Sequence, residues 1–171
     1  MVKDGTADAF ITVPTPEREE YTKISSEPVI VTKVTLFTKK NHEKMEEFKN
    51  VQKISDLEPF RLVDYLGNGW ALKNLAEFNV EWSPQIENVL HKLAHNRGDL
   101  FVQVSQVTLY TVKKLGLEDQ IVEIPTVLDS APFNLCIGRH SPFIGILPQF
   151  EQILSEMRNN GKLQEIHDKY R

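Results

Sequence analysis

The sequence predicts an α/β protein. Runs rich in β-branched residues alternate with amphipathic segments, and the links between them are short and marked by glycine, proline or asparagine. Ala7 to Val13 is a short, mostly apolar run that reads as a strand. Thr15 and Pro16 then open a helix or turn, threonine as N-cap and proline at the first helical position. Pro28 to Phe37 is the long β-branched strand, and Asn41 to Ile54 is a charged amphipathic segment. Ser55 to Leu57 begins a helical turn, and Phe60 to Tyr65 is the next strand. It runs into Leu66-Gly67-Asn68-Gly69, after which Trp70 to Phe78 has helical character. Val80 to Trp82 is a short strand. Ser83-Pro84 caps a helix with Ile86, Val89, Leu90 and Leu93 on one face, stopped at Gly98. Leu100 to Val104 is a strand, Gln106 to Leu115 a helix ended by Gly116, and Ile121 to Ile124 and Phe133 to Ile137 are strands. Helices over Phe143 to Arg158 and Lys162 to Tyr170 follow, broken at Asn159-Asn160-Gly161. Strand–helix alternation of this kind predicts parallel strands with right-handed crossovers.

Composition excludes several classes of function. With 40% hydrophobic and 26% charged residues, the 171-residue chain is neither disordered nor a membrane bundle. A net charge of −4 argues against a nucleic-acid partner, which a basic face usually serves. The lone Cys136 allows no internal disulfide and no zinc cluster, and in the apolar run Asn134 to Ile137 it reads as an inert buried thiol. His91 and His95 have metal-compatible i, i+4 spacing. The zinc-protease glutamate is missing after His91, so no metal is expected. No cofactor motif occurs. Met1 to Gly5 carries no apolar core of a signal peptide.

Five blocks in order resemble the extracytoplasmic solute-binding proteins of polar-amino-acid ABC transporters. Gly5 to Asp8 followed by Thr15-Pro16-Glu17-Arg18 is similar to that family's "G-x-x-D" and "T-x-x-R". Ser25 to Val29 is similar to its "F-S-x-P-Y" with the aromatics replaced. Ser55 to Gly69 resembles "D-L-x-G-x-x-V-G-V-x-x-G-T", and Leu93 to Asp99 resembles "L-x-x-G-R-x-D". Met157 to Tyr170 resembles the terminal "M-R-x-D-G-T-x-x-x-I-x-x-K-Y". The resemblance implies a periplasmic-binding-protein-like type II fold of two α/β lobes with ligand bound between them. Residues 1–30 and 131–171 fall in the first lobe and 31–130 form a complete second one. The family's opening βαβ stretch has no counterpart, so an incomplete first lobe is expected, with weak or no ligand binding by these residues alone and dimerisation through that lobe.

The resemblance also assigns residues. Arg18 matches the arginine that grips the ligand carboxylate, a bidentate pairing suited to guanidinium. The bland alternative is a solvated helix arginine beside Glu17, Glu19 and Glu20. Thr12 and Val13 fall at first-lobe ligand positions, and at Val13 the resembled family commonly has a hydroxyl or polar residue, so valine is a departure. Gly67, Asn68 and Gly69 occupy the family's second-lobe glycine-hydroxyl loop, with Tyr65 and Trp70 as flanking walls; an ordinary strand-to-helix turn is the alternative. Val104 stands where the family has the acid that meets the ligand's α-ammonium. A buried ammonium without a counter-charge is costly, so Gln103, Ser105 or Asp129 would have to substitute, or Val104 simply ends a buried strand. The expected function is non-enzymatic: binding a small carboxylate-bearing ligand outside the cytoplasm for a membrane permease. The alternatives are the sensing domain of a membrane signalling protein and a cyclohexadienyl-dehydratase-like enzyme. The last would need a cleft acid with a raised pKa, which the sequence does not single out.

Overall fold

The structure, a computed structural model, describes residues 1–169. The described residues hold seven strands and seven α-helices and form two compact units: Met1–Thr32 with 131–169, and Lys33–Ser130. The chain enters the second unit within strand β3 (Ile30–Lys39) and leaves it within β7 (Ile121–Gly138).

In the first unit, β1 (Ala9–Thr12) and β2 (Thr22–Ile24) both pair antiparallel with the C-terminal half of β7, Ala9 opposite Ile137 and Ile24 opposite Cys136. Helix α1 (Pro16–Tyr21) links them. Thr15 caps it as expected, its side-chain oxygen accepting from the Arg18 amide. Helices α6 (Leu147–Asn159) and α7 (Lys162–Asp168) follow, and Gly161 takes the left-handed conformation between them (φ 79°) that glycine adopts without Cβ strain. Glu151 and Arg158 of α6 anchor the 26–28 segment by accepting from the Ser26 amide and pairing with Glu27. The expected helix end at Tyr170 lies outside the described residues.

The second unit holds the core. Strand β6 (Phe101–Val104) pairs antiparallel with β3, and β4 (Leu62–Tyr65) pairs parallel with β5 (Val80–Ser83); a parallel bridge joins Leu62 to Leu100. Helices α3 (Gly69–Asn74), α4 (Ile86–Ala94) and α5 (Ser105–Lys114) connect them, after the single turn of α2 (Met45–Lys49). Val34, Leu36, Phe48, Leu57, Leu75 and Val102 form one apolar cluster, and Phe37, Val89, Leu90, Leu93 and Phe101 another. The apolar face expected on α4 is the one it buries. Asp99, fully buried, ties strand starts together. It accepts from the Arg61 amide and guanidinium and from Lys44 Nζ, while Thr38 Oγ1 donates to its carbonyl. Burial opposes its ionisation, but these donors win and hold the carboxyl down at about 2.

Several expectations need correction. β4 and β5 pair in parallel, as does the Leu62–Leu100 bridge, but the pairs of β1 and β2 with β7, and of β3 with β6, are antiparallel. The two strands expected over 121–124 and 133–137 are one, because Pro125 and Pro132 interrupt donors without ending the extended backbone. Helix α4 ends at Ala94, earlier than Gly98. Asn96 takes φ 60° and the Arg97 amide reaches back to the Lys92 carbonyl, a Schellman-type stop with asparagine in place of glycine. Gly98 has a different reason to be glycine, since a Cβ there would lie 2.5 Å from a Val63 methyl. Ser83 ends β5, and the α4 cap is Gln85.

The first unit has little core of its own. Both apolar clusters lie within residues 34–124, whereas Ile11, Phe143, Ile146 and Ile153 of the first unit are exposed. Buried apolar area is the main stabilising term, so opening free energy should differ between the units. Native-state hydrogen exchange should show amides of the β3–β6 ladder protected at least ~10-fold more than those of the β1–β7 ladder. Equal protection would contradict this.

Candidate functional site

In parallel α/β sheets ligands gather at the carboxyl ends of strands. Tyr65 and Val104 end β4 and β6, and the 66–70 loop follows β4. The hub here is Asn68, which is buried. Its Nδ2 donates to both oxygens of Asp64 (3.0 and 3.1 Å) and to the Val102 carbonyl (3.0 Å), and its Oδ1 accepts from the Ala71 amide to cap α3. All its hydrogen-bonding capacity on the amide nitrogen is thereby turned inward. Asn68 holds the loop; its side chain offers nothing to a ligand. Gly67 lies so close to the Tyr65 ring that a Cβ would sit 2.6 Å from it, while Gly69, first residue of α3, has open space where a Cβ would be.

Asp64 is the residue that sequence reasoning passed over. It is 1% exposed, accepts from the Tyr65 amide as well as from Asn68, and burial pushes its pKa up to about 7 against the pull of those donors. An acid inside the apolar run Leu62 to Tyr65, four residues before an asparagine, was the available signal. Burial first, and then the Asp64 charge, raises the Tyr65 hydroxyl pKa, so the phenol stays protonated and accepts from Gln103 Nε2 at 3.0 Å. Gln103 Oε1 accepts from the Val104 amide at 2.7 Å. Gln103 is thus occupied, and Val104 pairs with Val34 and packs on the first cluster. Trp70 packs on the same cluster and donates its indole N–H to Asp129 Oδ2 at 2.6 Å.

In the first unit, Thr12 ends β1 opposite Asn134, and Val13 follows it. Arg18 on α1 is half-buried, and its Nη1 donates to the Val13 carbonyl at 2.7 Å. The structure therefore brings Thr12, Val13 and Arg18 together in one unit, and Tyr65, Gly67, Asn68, Gly69, Trp70 and Val104 in the other. A cavity of about 810 Å³ in the second unit is lined by Arg61, Asn79, Trp82 and Arg97, at the opposite ends of β4 and β5 from these residues. Its size does not outweigh the placement of the strand-end side chains. Cys136 is buried in β7, which raises its thiol pKa. His91 and His95 are exposed, and among the described residues no cluster of three metal-binding side chains occurs.

No protein-family model and no curated protein matches the chain. Solved structures do. An ancestral cationic amino acid solute-binding protein aligns over 99% of this chain and 71% of its own at 18% identity, with a TM-score of 0.75. A second substrate-binding domain assigned to an amino acid ABC transporter of Streptococcus pneumoniae aligns over 99% and 74% at 16% identity, TM-score 0.72. A histidine kinase sensor domain similar to periplasmic binding proteins aligns over 99% and 72% at 16% identity, TM-score 0.66. The fold is therefore the periplasmic-binding-protein-like type II fold, and part of each neighbour has no counterpart in these residues.

The Asp64 environment makes a pH prediction. An acid whose pKa is higher in the folded protein than its ordinary value stabilises the fold below about pH 4. That contribution is lost as pH rises through about 7. Urea unfolding of the wild type and Asp64→Asn should show their stability difference shift by on the order of 2–4 kcal/mol toward the variant between pH 4 and 8. Any fixed cost of the new amide is independent of pH. A difference constant across that range would contradict the assignment.

Proposed function

We propose that the protein binds a small carboxylate-bearing ligand, an amino acid or an analogue, as the extracytoplasmic solute-binding component of an ABC uptake system. Arg18 takes the carboxylate. The observation that carries this reading is the state of that guanidinium. It is anchored by a neutral carbonyl, and among the described residues it forms no ion pair, so donors of its planar fork remain for an anion. Thr12 and Val13 border it at the end of β1; Tyr65, Gly67, Gly69 and Trp70 form the strand-end wall of the second unit. In that role the protein delivers its ligand to a membrane permease, which is the proposed partner. No described helix is long and apolar enough to cross a membrane.

Binding is preferred to catalysis because the described carboxyl with the raised pKa, Asp64, is enclosed and bonded internally. The likeness to a histidine kinase sensor domain favours a second reading, ligand sensing for a membrane signalling protein. Both readings use Arg18 and differ in the membrane partner.

Titration with the common L-amino acids, followed by amide chemical shifts, should give saturable changes around Arg18 for at least one of them. A dissociation constant as weak as ~1 mM would be visible. Arg18→Ala should weaken binding by roughly 30-fold or more, the range for losing a charge-assisted pair. No response near Arg18 to any carboxylate ligand, or one unchanged in the variant, would refute the assignment.

Self-association through the first unit is also proposed, supported by the outer edge of β1 and by exposed Ile11, Phe143, Ile146 and Ile153. Light scattering should show a dimer at high concentration that Ile11→Asp returns to monomer. A monomeric wild type at every concentration would contradict it.

A further inference from the structure

We propose that Asn160, in the turn between α6 and α7, is a site of spontaneous covalent modification, converted through a cyclic imide to aspartate and isoaspartate. An asparagine followed by glycine is prone to cyclise, because glycine has no side chain to hinder its amide nitrogen. The chain holds two such pairs, Asn68–Gly69 and Asn160–Gly161, and the fold protects the first. In the second, the Gly161 nitrogen attacks Asn160 Cγ. The N–Cγ bond forms, the Cγ–Nδ2 bond breaks, and ammonia leaves with the proton that the Gly161 amide gives up. Water then opens the ring at either carbonyl. One opening gives aspartate in the original backbone; the other gives isoaspartate, with one more backbone carbon between α6 and α7. Both products add a negative charge.

The two asparagines differ in every respect that governs this reaction. Asn68 is 3% exposed, and its side chain would have to give up four hydrogen bonds, three of them from the departing nitrogen. Its loop opens only together with the network that joins β4, β6 and α3. Asn160 is exposed at the end of α6. Among the described residues its Nδ2, the leaving group, has no partner, and its Oδ1 accepts from the Lys162 amide at 3.0 Å. That donor polarises the carbonyl under attack. The Gly161 amide is held by a long bond of 3.3 Å to the Arg158 carbonyl, and a Cβ on Gly161 would meet nothing within 4 Å. Attack requires the Asn160 ψ to leave its present 4°, so the turn must open first. Its bonds are at the surface, between the two last helices, where opening costs least.

Ageing of the full chain tests this. Folded protein is held at mildly alkaline pH and digested under acidic conditions, and both Asn-Gly peptides are followed by mass spectrometry, with aspartate and isoaspartate separated by chromatography. Asn160 should convert at least ~10-fold faster than Asn68 in the folded protein, because only its turn opens locally. In denaturant the two rates should converge to within about threefold, since the protecting network is gone. Asn160→Gln, which would need a larger ring, should leave that peptide unconverted while Asn68 behaves as before. A folded protein in which Asn68 converts as fast as Asn160, or in which Asn160 reacts only once denatured, overturns the inference.

Discussion

The geometry at the strand ends of the second unit depends on one buried amide. Asn68 joins β4 through Asp64, β6 through the Val102 carbonyl and α3 through the Ala71 amide. Without it the Ala71 amide would lose this acceptor and Asp64 would keep only the Tyr65 amide, and a buried polar group left unmet costs about 1–3 kcal/mol. Because the network closes on itself, the loop from Leu66 to Gly69 has a single low-energy course, and Trp70 leaves it in a fixed direction. The burial that makes the network rigid also makes Asp64 reluctant to ionise. A strong hold on the loop and a carboxyl with a raised pKa thus have one cause.

The units differ in how they are stabilised. The second has two apolar clusters and the Asp99 charge hub, so its strand ends rest on a packed foundation. The first has β1 and β2 pinned to β7, with helices tied on by Glu151 and Arg158, and much of its apolar surface faces outward. Arg18 belongs to that less buried unit. Its anchoring bond to Val13 is local, five residues away in sequence, so its position depends on the short turn capped by Thr15 more than on a core.

Local rules were legible in the sequence, and long-range ones were not. The Thr15–Pro16 helix start and the apolar face of α4 follow from capping chemistry and periodicity, and each is present. The glycine stop after α5 is present too, with Gly116 at φ 65°. The continuity of β7 through two prolines and the existence of β2 depend on partners distant in sequence, 99 residues apart for Thr32 and Ala131. The pairing of Arg61 with Asp99 has no local signature either. At the candidate site, the motif resemblance singles out the 65–70 loop, but only the coordinates show that Asn68 is spent on Asp64. They also show that Asp129 stands beside Trp70.

The central claim is that Arg18 is the anion receptor of the first unit. A crystal structure of the protein grown with a bound L-amino acid tests it most directly. The account predicts the ligand carboxylate paired with the Arg18 guanidinium, which keeps its bond to the Val13 carbonyl. A ligand carboxylate seated elsewhere, with Arg18 bonded only to Val13, would contradict it.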